Sequence, residues 1–300
     1  MRRVLARLGI GLAAAAVAVG GWAWWLLGHV AVQPVTKDVY LLTGVGGNVA
    51  VLVTGAGVVV VDSMTFARQG EAIQARIREL TDQPVVAVLN THYHRDHTHG
   101  NPAFPSGTRV VATAKTLEYL HEFDADYWRD PAAAALLPNE TFDYARDFHV
   151  GAKTIRAIHP GRAHTGGDLV VLFVEDRVVL SGDLFFNGYW PNIDLEAGGS
   201  VREWPDAIQR VIDLPYDTVI PGHGPLADRE AWRRFQGFMT TLWTQTSDVV
   251  RRGGSLDDAL RTVDLDRFGL RGLWFVPKLS REFVIRRAYE EATAGAAATR

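Results

Sequence analysis

The stretch Thr91-His92-Tyr93-His94-Arg95-Asp96-His97 sets three imidazoles and a carboxylate within six positions, directly after an apolar run at 84–89. Strand spacing puts His92 and His94 on one side and turns Arg95 away, while a turn at Asp96-His97 brings two more donors round to the same pocket. A single histidine is more often a hydrogen-bonded or surface residue than a ligand. Four such groups together are costly to bury without a counter-charge, so the cluster reads as metal-binding. Imidazole and carboxylate suit zinc and leave a coordination position for water. The chain has no cysteine, so any metal must be held by His, Asp or Glu. The same absence excludes disulfides, thiolate sites and Cys nucleophiles.

Working outward, three later apolar runs also end in a polar turn carrying His or Asp. The run at 154–158 leads to Gly161-Arg162-Ala163-His164-Thr165-Gly166-Gly167-Asp168, that at 177–180 to Ser181-Gly182-Asp183, and that at 218–220 to Pro221-Gly222-His223-Gly224-Pro225. Glycines flank each donor and let backbone approach a crowded site closely. Each turn is a weak signal alone; in this order, each after a strand, they are strong.

These motifs resemble the metallo-β-lactamase superfamily over about residues 37–226. The family pattern His-x-His-x-Asp-His, then His, Asp and His, is complete here. The resemblance implies a four-layer αβ/βα sandwich with two metals where the sheets meet. It implies His92, His94 and His164 at the first metal, Asp96, His97 and His223 at the second, and Asp183 as the bridging carboxylate. Two Zn2+ ions are the expected cofactors, with iron or manganese as alternatives. A hydroxide shared between the metals would attack an ester, lactone, thioester or amide, and Asp96 would relay a proton to the leaving group.

Within that family, His rather than Glu at position 94 and the lack of a flavodoxin-like module argue against the di-iron flavoproteins. No large domain is inserted before His223, which argues against the nucleic-acid-processing branch. An aspartate at 183 argues against strong β-lactamase activity, and the segment after His223 lacks the glyoxalase II pattern. Local phrases around His164 and Asp183 are most similar to exported metallohydrolases. A weak β-lactamase, a mononuclear-iron sulfur dioxygenase and a non-catalytic accessory protein of a periplasmic redox system are the alternatives.

Composition bounds the rest. The 300 residues are 47% hydrophobic, enough for a full core. Removing residues 1–29 leaves 28 basic and 34 acidic side chains, a net charge of −6, which disfavours nucleic-acid partners and leaves a small molecule as the expected substrate. Residues 8–28 are uncharged and mostly apolar, follow Arg2, Arg3 and Arg7, and end near Trp22, Trp24 and Trp25. This segment reads as an N-terminal transmembrane helix within residues 1–30, holding a catalytic domain at 37–295 outside the cytoplasm. A cleaved signal peptide is the alternative and leads to the same compartment.

The remaining pattern predicts antiparallel strands near 39–42, 48–54 and 58–62, and a helix at 66–80 that Gly70 weakens. Residues 113–145 read as largely helical and irregular, and three helices follow Pro225 near 228–252, 255–262 and 279–293. Asp62 ends a valine run and reads as either a ligand orienter or a turn cap, and Asp168 is open in the same way. His99 reads as a rim residue and Asn101 as turn chemistry. The aromatics of Phe185-Phe186-Asn187-Gly188-Tyr189-Trp190 read as a substrate wall or as core.

Overall fold

A computed structural model describes residues 17–22, 24–272 and 276–298. Two sheets stack face to face. The first runs in spatial order β1 (Ala31–Pro34), β2 (Val39–Thr43), β3 (Val49–Thr54), β4 (Gly57–Val61), β5 (Val85–Leu89), β6 (Arg109–Thr113) and β7 (Glu140–Phe142). Pairing is antiparallel from β1 to β4 and parallel from β4 to β7. The second sheet has the order β12 (Thr218–Ile220), β11 (Val178–Leu180), β10 (Val170–Phe173), β9 (Lys153–Ile158) and β8 (Ala145–Val150).

Side-chain alternation sorts each strand between two cores. Ala50 and Leu52 of β3 face the other sheet, where Val171 and Phe173 of β10 meet them. Val49 and Val51 face outward beneath α1 (Ala67–Leu80), which supplies Ile73 and Ile77. Val170 and Leu172 face outward beneath α3 (Trp204–Ile212), α4 (Arg229–Arg251), α5 (Leu256–Thr262) and α6 (Arg281–Ala298). Because both faces of the central strands are buried, β4 is valine from Val58 to Val61 instead of alternating apolar and polar. This is the expected four-layer αβ/βα sandwich.

The parallel step from β4 to β5 needs a crossover, and α1 provides it. Gly70 does more than weaken that helix: a Cβ there would sit 2.2 Å from the Gly100 carbonyl oxygen, so its absence lets α1 pack on the loop behind His97. The helices after Pro225 form close to the expected bounds. Asp228 caps α4 by accepting from the Ala231 amide, and Ser255 and Asp258 form a reciprocal capping box at α5. Such caps contribute about 1 kcal/mol each.

One expectation needs correction. The 113–145 region does hold α2 (Ala114–Phe123) and two single helical turns, but it also contains β7, and β6 runs into it. Short edge strands with polar residues such as Glu140 show little periodicity, which hides them in the sequence. Helix α3 adds an element beyond those expected, with Trp204, Ala207, Ile208, Val211 and Ile212 on a 3.6-residue period and all buried. As for the expected membrane span at 8–28, residues 8–16 and 23 lie outside the described residues; 17–22 and 24–28 are helical. Among the described residues no helix is long and apolar enough to cross a membrane.

Candidate metal centre

The site is built at one edge of the sandwich. Strand β9 runs in the same direction as β11 because each is antiparallel to β10, and β12 is parallel to β11. Their carboxyl ends therefore emerge together and release the loops carrying His164, Asp183 and His223. Across the sandwich β4 and β5 release Asp62 and the His92–His97 turn. Asn48 stitches the two edges, its side-chain amide donating to the carbonyls of Pro221 (2.9 Å) and Gly224 (2.8 Å).

All seven expected side chains converge in two groups, His92 with His94, His164 and Asp183, and Asp96 with His97 and His223. Asp183 stands between them. Its Oδ2 lies 3.8 Å from His92 Nε2 and 3.6 Å from His164 Nε2, while its Oδ1 lies 3.2 Å from His97 Nε2 and 3.3 Å from His223 Nε2. Asp96 Oδ2 is 3.4 Å from His223 Nε2. Gly222 makes this approach possible, because a Cβ at that position would lie 2.2 Å from Asp183 Oδ1.

Hydrogen bonding fixes which nitrogens are free to bind. The Thr91 hydroxyl donates to Asp62 Oδ2 at 2.8 Å and so accepts from His92 Nδ1 at 3.1 Å. His97 Nδ1 donates to Asp62 Oδ2 at 2.7 Å, and His164 Nδ1 to the Asn192 carbonyl at 2.9 Å. His94 uses the opposite nitrogen, with Nε2 donating to Asp194 Oδ2 at 2.9 Å. The converging nitrogens of His92, His94 and His164 therefore carry lone pairs.

Lone pairs then face one another without a proton between them. His94 Nδ1 is 3.1 Å from His92 Nε2 and 2.9 Å from His164 Nε2. Asp183 Oδ1 is buried with no hydrogen-bond partner among the described residues. Both arrangements are unfavourable in the protein alone and become favourable around a cation. Donors about 2.0–2.1 Å from a tetrahedral ion stand about 3.4 Å apart, and the spacings here bracket that value. The donor set fits divalent metal.

The titration behaviour follows from burial and charge. Burial holds His92 well below the usual imidazole range and pushes His164 down to about 4. At His223 burial also acts downward, but the carboxylates of Asp183 and Asp96 outweigh it and push the ring up to about 9. Burial raises the Asp183 carboxyl, yet His223, His97 and His92 together bring it well below the carboxylate range.

Asp62 is therefore an orienting residue, completely buried, and it takes the Thr91 amide as well. Asp168 is not: it accepts the amide and hydroxyl of Thr165 and closes its own loop. His99 lies outside both groups, paired with Asp124 at 2.7 Å and stacked on Tyr127. Asn101 opens a single 3-10 turn, as expected, and its side chain is also a buried clamp, bonded to Asn90, Ser63 and the Leu136 carbonyl. Phe185 and Phe186 are core: Phe185 stacks on Trp232, and Phe186 on His223 at 5.2 Å. Trp190 packs against Phe238.

Asp194, which no sequence pattern singled out, is the second orienting carboxylate. It receives both His94 Nε2 and the Tyr93 hydroxyl, the latter at 2.5 Å. It lies in a loop without a motif, and only the returning chain brings it to His94.

Comparisons agree with this geometry. A family model described as Metallo-beta-lactamase superfamily matches residues 42–223. A metallo-beta-lactamase type 2 from Elizabethkingia meningoseptica is 26% identical over 201 residues, covering 65% of this chain and 76% of that protein. The alpha subunit of a 2,4-dinitroanisole O-demethylase from Nocardioides sp. (strain JS1661) is 27% identical over 244 residues, covering 79% of this chain and 67% of that one. Among solved structures, a metallo-beta-lactamase from Pontibacter korlensis superposes with a TM-score of 0.62 at 23% identity, covering 71% of this chain and 99% of that one. A stereoselective inverting sec-alkylsulfatase from Pseudomonas sp. gives 0.73 at 15% identity, covering 89% of this chain and 51% of that longer one.

Proposed function

This chain belongs to the metallo-β-lactamase superfamily and is a metallohydrolase; from that premise we propose that it holds two zinc ions and hydrolyses an ester, lactone, thioester or amide. The observation that carries the reading is Asp183, whose two oxygens face different donor groups and one of which is buried without a hydrogen-bond partner among the described residues. When bound, divalent metal supplies Lewis acidity and a water acidified towards neutral pH.

The chain's own residues do the rest. Asp62, Asp194 and the Asn192 carbonyl hold the ligand rings so that their lone pairs point inward. Asp96 is the most exposed of the seven, with 31% of its side chain accessible against 4% for Asp183. It is therefore the carboxylate placed to carry a proton between the centre and a leaving group. Two carboxylates against two divalent ions leave a net positive site, which favours substrates presenting an anionic or carbonyl oxygen.

An apolar substrate flank is supported by Tyr93 and Phe123. The Tyr93 ring lies 4.5 Å from His94 and 5.7 Å from Phe123, which is 42% exposed. Of the two readings open for Phe185 and Phe186, wall or core, the structure has core. The arginine-led apolar N-terminus supports work outside the cytoplasm, tethered or exported.

A hydrolysis panel tests the reading: β-lactams, lactones, thioesters, aryl esters and alkyl sulfates, offered to the zinc-loaded protein and to Asp183→Ala. Turnover that disappears together with zinc in the variant is expected. A panel without any turnover overturns the hydrolase substrate classes. A single iron with oxygen consumption moves the assignment to a sulfur dioxygenase.

A further inference from the structure

The loop at 192–201 aims two rings of the first donor group: Asp194 accepts from His94 Nε2 at 2.9 Å, and the Asn192 carbonyl accepts from His164 Nδ1 at 2.9 Å. No strand or helix runs through this loop. Its own bonds are few: the Ala197 amide donates to Asp194 Oδ1 at 3.2 Å and the Gly199 amide to the Asp194 carbonyl at 2.8 Å. A side chain carried on irregular backbone is only as well aimed as that backbone is held.

Helix α6 does the holding. Val284, Ile285, Ala288 and Ala292 are buried and seat the helix in the core. Arg287 and Glu291 stand one turn apart and so share a face, the one turned to the loop. Every nitrogen of the Arg287 guanidinium is engaged: Nε donates to the Ile193 carbonyl at 3.1 Å, Nη1 to Glu290 at 2.7 Å and Nη2 to Glu196. Glu291 accepts from the Ser200 hydroxyl at 2.5 Å and from the Val201 amide at 2.6 Å. The two side chains grip both flanks of the turn at 194–199.

We propose that Arg287 and Glu291 are positioning residues of the metal centre, which set the His94 and His164 rings by holding the loop that aims them. The inference rests on the metal reading of that centre and adds what keeps the centre in aim. Arg287 is 12% exposed and Glu196 67%, so the ion pair by itself contributes little. The bond to the Ile193 carbonyl is charge-assisted and falls one residue before Asp194. The apolar face already seats the helix, so the polar grip falls on the loop.

Zinc affinity of the full chain is measured by competition with a chromophoric chelator in the parent, Arg287→Ala and Glu291→Ala, and in each combined with Asp194→Ala. Loss of an outer partner weakens metal about 10–100-fold, and a residue one contact further out belongs at the low end, about tenfold in each single variant. With Asp194 already removed, Arg287→Ala adds about twofold or less, because residues acting along one path are not additive. Exposed Arg286→Ala on the same helix keeps parental affinity. Melts of the metal-free proteins establish that each variant folds. Arg287→Lys keeps the charge but gives up the fork, loses about threefold, and carries the test if the alanine variant does not fold. Parental affinity in the folded variants, whatever their thermal midpoints, reduces the two residues to a structural brace and overturns the proposal. So does an equal loss with and without Asp194, and either result leaves the metal reading intact. A parent that binds no zinc overturns the metal reading itself and the proposal with it.

Discussion

Asp194 Oδ2 lies 2.9 Å from His94 Nε2, a hundred positions apart in the chain, and this contact turns the His94 ring so that Nδ1 faces the other imidazoles. His94 is thus the one ring of the first group that points inward through Nδ1, and it does so because a carboxylate holds its far nitrogen. Removing such an outer partner costs about 10–100-fold in metal affinity. Asp194→Ala is expected to lose that much at the first donor group, measured by competition with a chromophoric chelator. Tyr93→Phe keeps the His94 contact and should lose far less. Equal effects of the two would show that Asp194 acts through Tyr93.

Asp62 offers a harsher test. It sits at φ 66°, in the left-handed region, fully buried, and accepts from Thr91 twice and from His97 once. That hydrogen-bonded environment holds the strained backbone in place. Breaking a buried charged pair destabilises by about 3–5 kcal/mol. Asp62→Ala should therefore lower the thermal midpoint of the metal-free protein as well as weaken zinc at the second group. A variant as stable as the parent would show that the bond to His97 contributes only orientation.

Gly222→Ala separates geometry from stability. The added methyl would stand 2.2 Å from Asp183 Oδ1 and 2.6 Å from the Gly182 carbonyl, so the Asp183 carboxylate has to move. A shift of about 1 Å costs about 10²-fold in turnover. Zinc content and kcat should both fall while the circular dichroism spectrum is kept. Full activity in this variant would remove Asp183 from its bridging role.

The histidines predict opposite pH responses in chelated protein. His164 is pushed down to about 4, below the ordinary imidazole value of about 6.5. The unfolded chain then binds the extra proton first, so stability falls as pH drops from about 6.5 towards 4. His223 is pushed up to about 9, so its contribution is full below about 6.5 and is lost as pH rises through 9. Thermal melts of the chelated protein should therefore show a stability maximum near neutral pH. Zinc at about 1,000 times its Kd adds about 4 kcal/mol and should remove the alkaline loss, because the bound ring is already neutral. An alkaline slope that persists with zinc bound would place the responsible group elsewhere.

Much of the centre was legible in the chain because metal ligands are chemically scarce. Three histidines and an aspartate in six positions have few other uses, and with no cysteine the remaining donors had to be histidines and acids after strands. The antiparallel start of the first sheet, α1 and the three C-terminal helices were legible for a related reason: long periodic runs bury one face and show it. Strands such as β7 and β8 were not, because at a sheet edge their residues are half exposed and their alternation fades.

What the sequence by itself determined is the donor set, which follows from residue type and spacing, and through it a family resemblance that implies the two-sheet architecture. Tertiary structure alone decided how the donors are aimed. Asp62 is an orienter and Asp168 a loop closure, although both are acids beside a ligand. Asp194 and the Asn192 carbonyl turn two imidazoles from outside any motif, and Phe186 supports His223 from the core. Aim depends on which backbone returns past which ring, a property of chain paths many residues apart that local sequence does not encode.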